Sequence, residues 1–263
     1  MPDATTMTAP SIETRDLTIR FGGHTAVNGV SCAFRPGELT VIVGPNGAGK
    51  TTYFNLISGQ LKATAGRVLL GGRDITGLPA AERTRAGLGR AFQLTNLFPN
   101  LSVLENVRLA VQARHHDGLN LWSIWSDHHD LTRRAHALLE LVNLGERQHM
   151  PVASLPHGDQ RKLEVALLMA LQPSVYMFDE PTAGMSHDEA PVILNLIRAL
   201  KQDSDKTILL VEHKMDVVRE LADRIIVLTN GTLVADGEPA EVIASPVVQQ
   251  AYLGVSADDE VPA

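Results

Sequence analysis

The sequence is poor in cysteine: of 263 residues only Cys32 carries a thiol, which rules out an internal disulfide and suits a reducing compartment. Long hydrophobic runs are missing too. Residues 165–171 form one of the longest, far short of the ~18 apolar residues that a membrane-spanning helix needs. The start, Met1-Pro2-Asp3-Ala4-Thr5-Thr6, has neither a basic residue nor an apolar stretch, so no signal peptide is expected there. Positive charge is in deficit: 23 Lys and Arg stand against 30 Asp and Glu, a formal net charge of −7. This balance argues against binding a nucleic-acid backbone as the main activity and against adsorption to an anionic lipid surface. A chain with this charge that works at a membrane must dock onto another protein there. The expected location is cytosolic, and no internal repeat is visible.

What is present is an ordinary globular composition, 44% hydrophobic and 20% charged, with enough length for one large domain or a domain with a sub-domain. Residues 1–10 and 255–263 read as polar or small-residue tails. Early strands are expected at 14–21 and 29–34, then at 39–43 and 68–70. From about 94 to 160 the pattern turns helical, with Leu131, Ala135, Leu138, Leu139 and Val142 on one helical face. Continuous apolar runs at 175–178, 208–211 and 225–228 suit parallel strands covered on both faces, and helices are expected at 190–200 and 215–222. The fold class is therefore α/β, a nucleotide-binding core interrupted by a helical insertion.

The strongest motif is Gly44-Pro45-Asn46-Gly47-Ala48-Gly49-Lys50-Thr51, a full match to the phosphate-loop pattern G-x-x-x-x-G-K-[ST]. Its spacing carries a mechanism. The backbone N–H groups of Gly44, Asn46, Gly47, Ala48 and Gly49 can line one concavity, which the positive end of the next helix also faces. Lys50 brings a full charge to the β- and γ-phosphates, the Thr51 hydroxyl is placed for Mg²⁺, and Thr52 stands beside it. The flanks agree: a β-branched run precedes the loop, and residues of helical character follow. The loop is expected to bind a nucleoside triphosphate.

Asp179 and Glu180 follow the 175–178 run, where open α/β sheets bind ligands. Asp179 is expected to hold Mg²⁺, and Glu180 to polarise the water that attacks the γ-phosphate. His213 follows another buried run and could reach the γ-phosphate from a neighbouring strand end. Gln93 stands where the core meets the helical insertion and could contact the metal. The pairs His115-His116 and His128-His129 lack metal-ligand spacing, and Trp122 and Trp125 read as a packing face.

The order and spacing of these motifs resemble the ATP-binding cassette ATPases from about Ser11 to Gly254. A signature-like stretch, Leu155-Pro156-His157-Gly158-Asp159-Gln160-Arg161, adds to the resemblance. Within that family the chain looks most like ATPases of branched-chain amino acid importers. The matching segments are Arg20-Phe21-Gly22-Gly23, residues 98–107, residues 158–164 and Val211-Glu212-His213-Lys214-Met215-Asp216. The ending Ala251-Tyr252-Leu253-Gly254 belongs with them, and the stretch 115–130 resembles the longer of the two ATPases in such systems.

The resemblance implies ATP and Mg²⁺ as ligands. It implies Phe21 stacked on adenine, Gln93 as a sensor that also ligates metal, and His213 as a γ-phosphate switch. Leu155, His157, Gly158 and Asp159 would cap ATP held by a second cassette subunit, identical or not. Two transmembrane permease subunits would complete the assembly on the cytoplasmic face of the inner membrane, served indirectly by a periplasmic solute-binding protein. Importers of other solutes such as urea, exporters, soluble cassette ATPases and phosphate-loop GTPases are the competing classes; no Asn-Lys-x-Asp guanine motif is present. One departure stands out. Pro156 occupies the place of the usual signature serine and offers neither a hydroxyl nor a backbone N–H.

Overall fold

A computed structural model describes residues 9, 11–91, 97–114, 127–246 and 248–249. The chain opens with β1 (Ile12–Phe21), β2 (His24–Phe34) and β3 (Leu39–Val43), followed by α1 (Lys50–Ser58). β4 (Ala65–Leu70), β5 (Arg73–Asp74), α2 (Ala80–Arg85) and β6 (Leu88–Ala91) come next. A helical stretch then holds α3 (Val103–Arg114), α4 (Asp127–Leu141) and α5 (His157–Leu171). The remainder alternates: β7 (Val175–Asp179), α6 (Ala190–Lys201), β8 (Thr207–Val211), α7 (Met215–Leu221), β9 (Arg224–Thr229), β10 (Thr232–Gly237) and α8 (Pro239–Ala244).

These elements fall into two compact units, the first of residues 1–88, 174–179 and 203–263, the second of 89–173 and 180–202. The first unit contains an antiparallel sheet in the order β2-β1-β4-β5. In its other sheet the strands run β10-β9-β3-β8-β7, with β9, β3, β8 and β7 mutually parallel and β10 antiparallel at the edge. Every residue of β3, β7 and β8 is buried, as the unbroken apolar runs require of strands covered on both faces. Phe34, Tyr53, Phe54, Ile57, Met177 and Leu209 join one core beneath both sheets.

β2, β4 and β1 start earlier than expected, at 24, 65 and 12 rather than 29, 68 and 14; β7 and β8 run one residue longer at one end, and β9 at both. In β2, His24, Thr25 and Val27 pair with the end of β1, and Gly29 (φ +64°) sits inside the strand beside a shift in pairing register rather than starting it. β1 carries a comparable irregularity at Asp16 (φ +48°), whose N–H donates to Ser31 Oγ at 2.8 Å.

In the second unit α3 packs against both α4 and α5. The α4 face is the expected one: Leu131, Ala135, Leu139 and Val142 are buried, with Leu138 half-buried beside them. Val103, Val107 and Val111 of α3 and Leu163 and Ala166 of α5 supply further buried surface.

Candidate functional site

β3 ends at Val43, and the chain turns through residues 44–49 into α1. Two of its glycines are dictated by space. At Gly44 (φ +153°) a Cβ would lie 2.1 Å from the Leu228 carbonyl oxygen, and at Gly49 (φ +95°) 2.5 Å from that of Ala26. No side chain fits either place. Asn46 and Gly47 are exposed, while Ala48 is buried and donates its N–H to the Pro45 carbonyl at 3.1 Å. The Tyr53 N–H to Gly49 O bond, 2.8 Å, starts the helix directly after the loop. Lys50 is buried, and its Nζ donates to the carbonyls of Gly44 at 2.6 Å and Pro45 at 3.0 Å, which draws the ammonium over the loop. Thr51 is exposed and Thr52 half-buried.

The far end of α1 is anchored by a residue that no motif marks. Gly59 (φ +81°) ends the helix, and Arg83 of α2 lies across it. The buried guanidinium donates to the carbonyls of Leu56 and Ile57, both at 2.7 Å, of Thr76 at 2.7 Å and of Leu78 at 2.9 Å. A cation on the last carbonyls of α1 complements the helix dipole, whose positive end faces the phosphate loop. A Cβ at Gly59 would meet Arg83 Nε at 2.7 Å, so the glycine makes room for the arginine.

Parallel pairing brings two more candidates to the same sheet edge. Ile42 aligns with Val211, and Val211 with Asp179. The C-terminal ends of β3, β8 and β7 are therefore level, and they deliver the phosphate loop, the segment Glu212-His213 and Asp179 together. Glu212, fully buried, was missed in the sequence because it sits in the shadow of the histidine. Its Oε2 accepts the N–H groups of His213 at 2.7 Å and Lys214 at 3.1 Å and stands 3.6 Å from His213 Nδ1. This fixes the backbone of His213 while its side chain stays 52% exposed. Phe21, at the end of β1 in the same unit, is 50% exposed, so one ring face is available for stacking. The Thr51 hydroxyl and the Asp179 carboxylate are oxygen donors of the kind Mg²⁺ takes alongside water and phosphate. Gln93 lies outside the described residues, as do His115, His116, Trp122, Trp125 and Tyr252.

In the second unit, Glu180 is the first residue past β7 and takes a left-handed conformation, φ +49°. A non-glycine residue there is uncommon and marks a backbone held by its surroundings. The chain then turns: the Ala183 N–H donates to the Glu180 carbonyl at 3.1 Å, and that of Met185 to Thr182 at 3.3 Å. Ser186 closes on Glu189, whose Oε2 accepts from the Ser186 N–H at 3.2 Å and its Oγ at 3.0 Å.

The signature stretch opens α5. Leu155 is buried and its carbonyl accepts from Gln160 Nε2 at 3.0 Å. Pro156 takes the cap position with no side-chain bond to the helix, and His157 is exposed. The first-turn N–H groups of His157, Gly158 and Asp159 lack intrahelical acceptors by helix geometry. The Asp159 carboxylate is buried against Lys162 Nζ, 2.9 Å, and against Arg147, so its backbone N–H rather than its side chain is the group placed to meet a phosphate.

Residues 27–183 match the family model described as ABC transporter, and residues 232–258 match that of the branched-chain amino acid ATP-binding cassette transporter. The chain is 38% identical over 253 residues to the high-affinity branched-chain amino acid transport ATP-binding protein LivG of Escherichia coli (strain K12), with 94% of this chain and 99% of that protein covered. Among solved structures it is similar to the ADP conformation of an ATP-binding cassette of an ABC transporter, with TM-score 0.77, 30% identity and coverage of 94% and 100% of the two chains. It is also similar to a cassette solved as a dimer in a post-hydrolysis state bound to ADP and Pi, with TM-score 0.75, 26% identity and coverage of 86% and 98%.

Proposed function

The chain belongs to the ABC transporter family of ATP-hydrolysing cassettes, and from that membership we propose that it is the energy-coupling subunit of an importer for branched-chain or related amino acids. The observation that carries the proposal is the level sheet edge where the phosphate loop, Asp179 and His213 meet. ATP is held through its phosphates by the loop amides and Lys50, with adenine on Phe21. Mg²⁺, when bound, offsets phosphate charge and is held by Thr51, Asp179 and Gln93. Glu180 accepts a proton from the attacking water, and His213 contacts the γ-phosphate. The signature stretch from Leu155 to Asp159, which leads into α5, closes on ATP bound by a second cassette subunit, so ATP joins the two subunits and loss of phosphate releases them.

Permease docking fits the second unit's surface. Phe98, Leu101 and Met150 are exposed apolar residues gathered by local pairing. The Leu101 N–H donates to the Phe98 carbonyl, the Val103 N–H to that of Met150, and Ser102 bridges Pro151. Such a cluster is the kind of surface that a partner covers. Among the described residues no helix is long and apolar enough to cross a membrane, so attachment to the cytoplasmic face runs through the permeases. A solute-binding protein outside the membrane delivers the amino acid.

The test is purification of the native complex, with its ATPase turnover measured as the solute-binding protein is loaded from a panel of amino acids and amides. Stimulation by leucine, isoleucine or valine is expected; stimulation by urea alone would move the chain to an amide importer. Guanine selectivity of the purified chain would sink the cassette assignment.

A further inference from the structure

If, as proposed above, the first turn of α5 meets the triphosphate held by a second cassette subunit, and that subunit is a second copy of the chain, its electrostatic setting is unusual. A helix N-terminus favours anions, yet two carboxylates crowd this one. Asp159 stands in the first turn, nearly buried. Glu189 presses on Gly158: a Cβ there would lie 2.5 Å from Glu189 Oε1 and 2.6 Å from Oε2. The two bonds from Ser186 hold the Glu189 carboxylate in place, so it does not swing away. Left bare, both charges would repel an approaching polyphosphate, the buried Asp159 with less solvent screening than the half-buried Glu189.

Two cations answer them. Lys162, one turn further along α5, bends back to place Nζ 2.9 Å from Asp159 Oδ1 and 3.5 Å from Glu189 Oε1. Its side chain is only 9% exposed, so it is committed to this pocket rather than to solvent. Arg147, from the short 3₁₀ turn 145–147, reaches the other Asp159 oxygen. Two positive and two negative charges thus form a closed set behind Gly158.

We propose that Lys162 and Arg147 are positioning residues of the composite ATP site: they neutralise Asp159 and Glu189, so that the first turn of α5 can accept the triphosphate of a second copy. Neither cation touches the nucleotide. Gly158 suits the same arrangement, since a Cβ there would meet the Glu189 carboxylate and force it to shift.

The test uses the full chain carrying Glu180→Gln, which is expected to associate in MgATP, followed by sedimentation velocity. Adding Lys162→Met should weaken ATP-driven association by about tenfold or more, because it leaves the buried Asp159 and the half-buried Glu189 with Arg147 as their one remaining cation. The ATP affinity of the single chain, titrated with a fluorescent nucleotide below the association range, should not change. Lys162→Arg should restore association. Adding Glu189→Gln to Lys162→Met restores the charge balance and should also recover most of the association. Unchanged association in Lys162→Met overturns the proposal, and so does a double variant as weak as the single one. If Lys162→Met does not unfold cooperatively on heating, Glu189→Gln alone decides: with one carboxylate fewer the pair should tighten, and an unchanged or weaker pair overturns the proposal. If Glu180→Gln itself stays monomeric in MgATP, the two-copy reading falls and takes the proposal with it.

Discussion

The phosphate loop and the signature stretch both lead a chain turn into a helix N-terminus, but they prepare that terminus in opposite ways. The phosphate loop is built around Gly44 and Gly49, which no other residue can replace, and it brings its own cation, Lys50, on the first residue of the helix. The signature has a proline at the cap, a carboxylate in the first turn and a second carboxylate pressed against it. One terminus is electropositive by construction, the other only after compensation. Under the proposed function, the first terminus binds a triphosphate alone, whereas the second contributes only when another subunit delivers one.

The sharpest way to break this comparison is Glu180→Gln, which removes the proposed base and leaves both termini intact. Turnover should fall by about a thousandfold while ATP binding persists, and an ATP-bound dimer should accumulate in size-exclusion chromatography; normal turnover would remove Glu180 from the chemistry. Lys50→Ala attacks only the self-sufficient terminus. ATP affinity in isothermal titration should drop by about a hundredfold, and an unchanged affinity would mean the loop is misassigned. His213→Ala tests the shared sheet edge. Turnover should fall by tens of fold, roughly, with nucleotide affinity preserved, and intact turnover would leave the histidine a structural role. The smallest effect is expected of Pro156→Ser, which gives the signature terminus a hydroxyl cap. Turnover of the assembled complex should rise a few-fold, about the value of one added hydrogen bond; no change would show that backbone N–H groups suffice there.

The self-sufficient terminus is also the one most legible in the sequence. Its chemistry lies within eight consecutive residues, and the run of β3 before it and the opening of α1 after it are local patterns. Asp179 and Glu180 are legible for the same reason, since they end an unbroken apolar strand. The compensated terminus is not. Lys162 and Glu189 are 27 positions apart, and nothing local announces that one reaches the other. Arg83 reads as one more surface arginine until the fold buries it against four carbonyls. Glu212 is hidden by its neighbour, because attention falls on the titratable imidazole rather than on the carboxylate that fixes its backbone. β10 escaped notice because it is an edge strand of mixed exposure with no continuous apolar run. Local chemistry survives in a sequence; pairings made by tertiary packing do not.

Arg83 has a mechanical consequence. α1 is short, only 9 residues, with a ligand seat at its head and a guanidinium spread over the carbonyls at its tail. A rod clamped at one end does not slide when the other end is loaded. Under the proposed function, force arising when a phosphate arrives or leaves therefore finds no give along α1 itself.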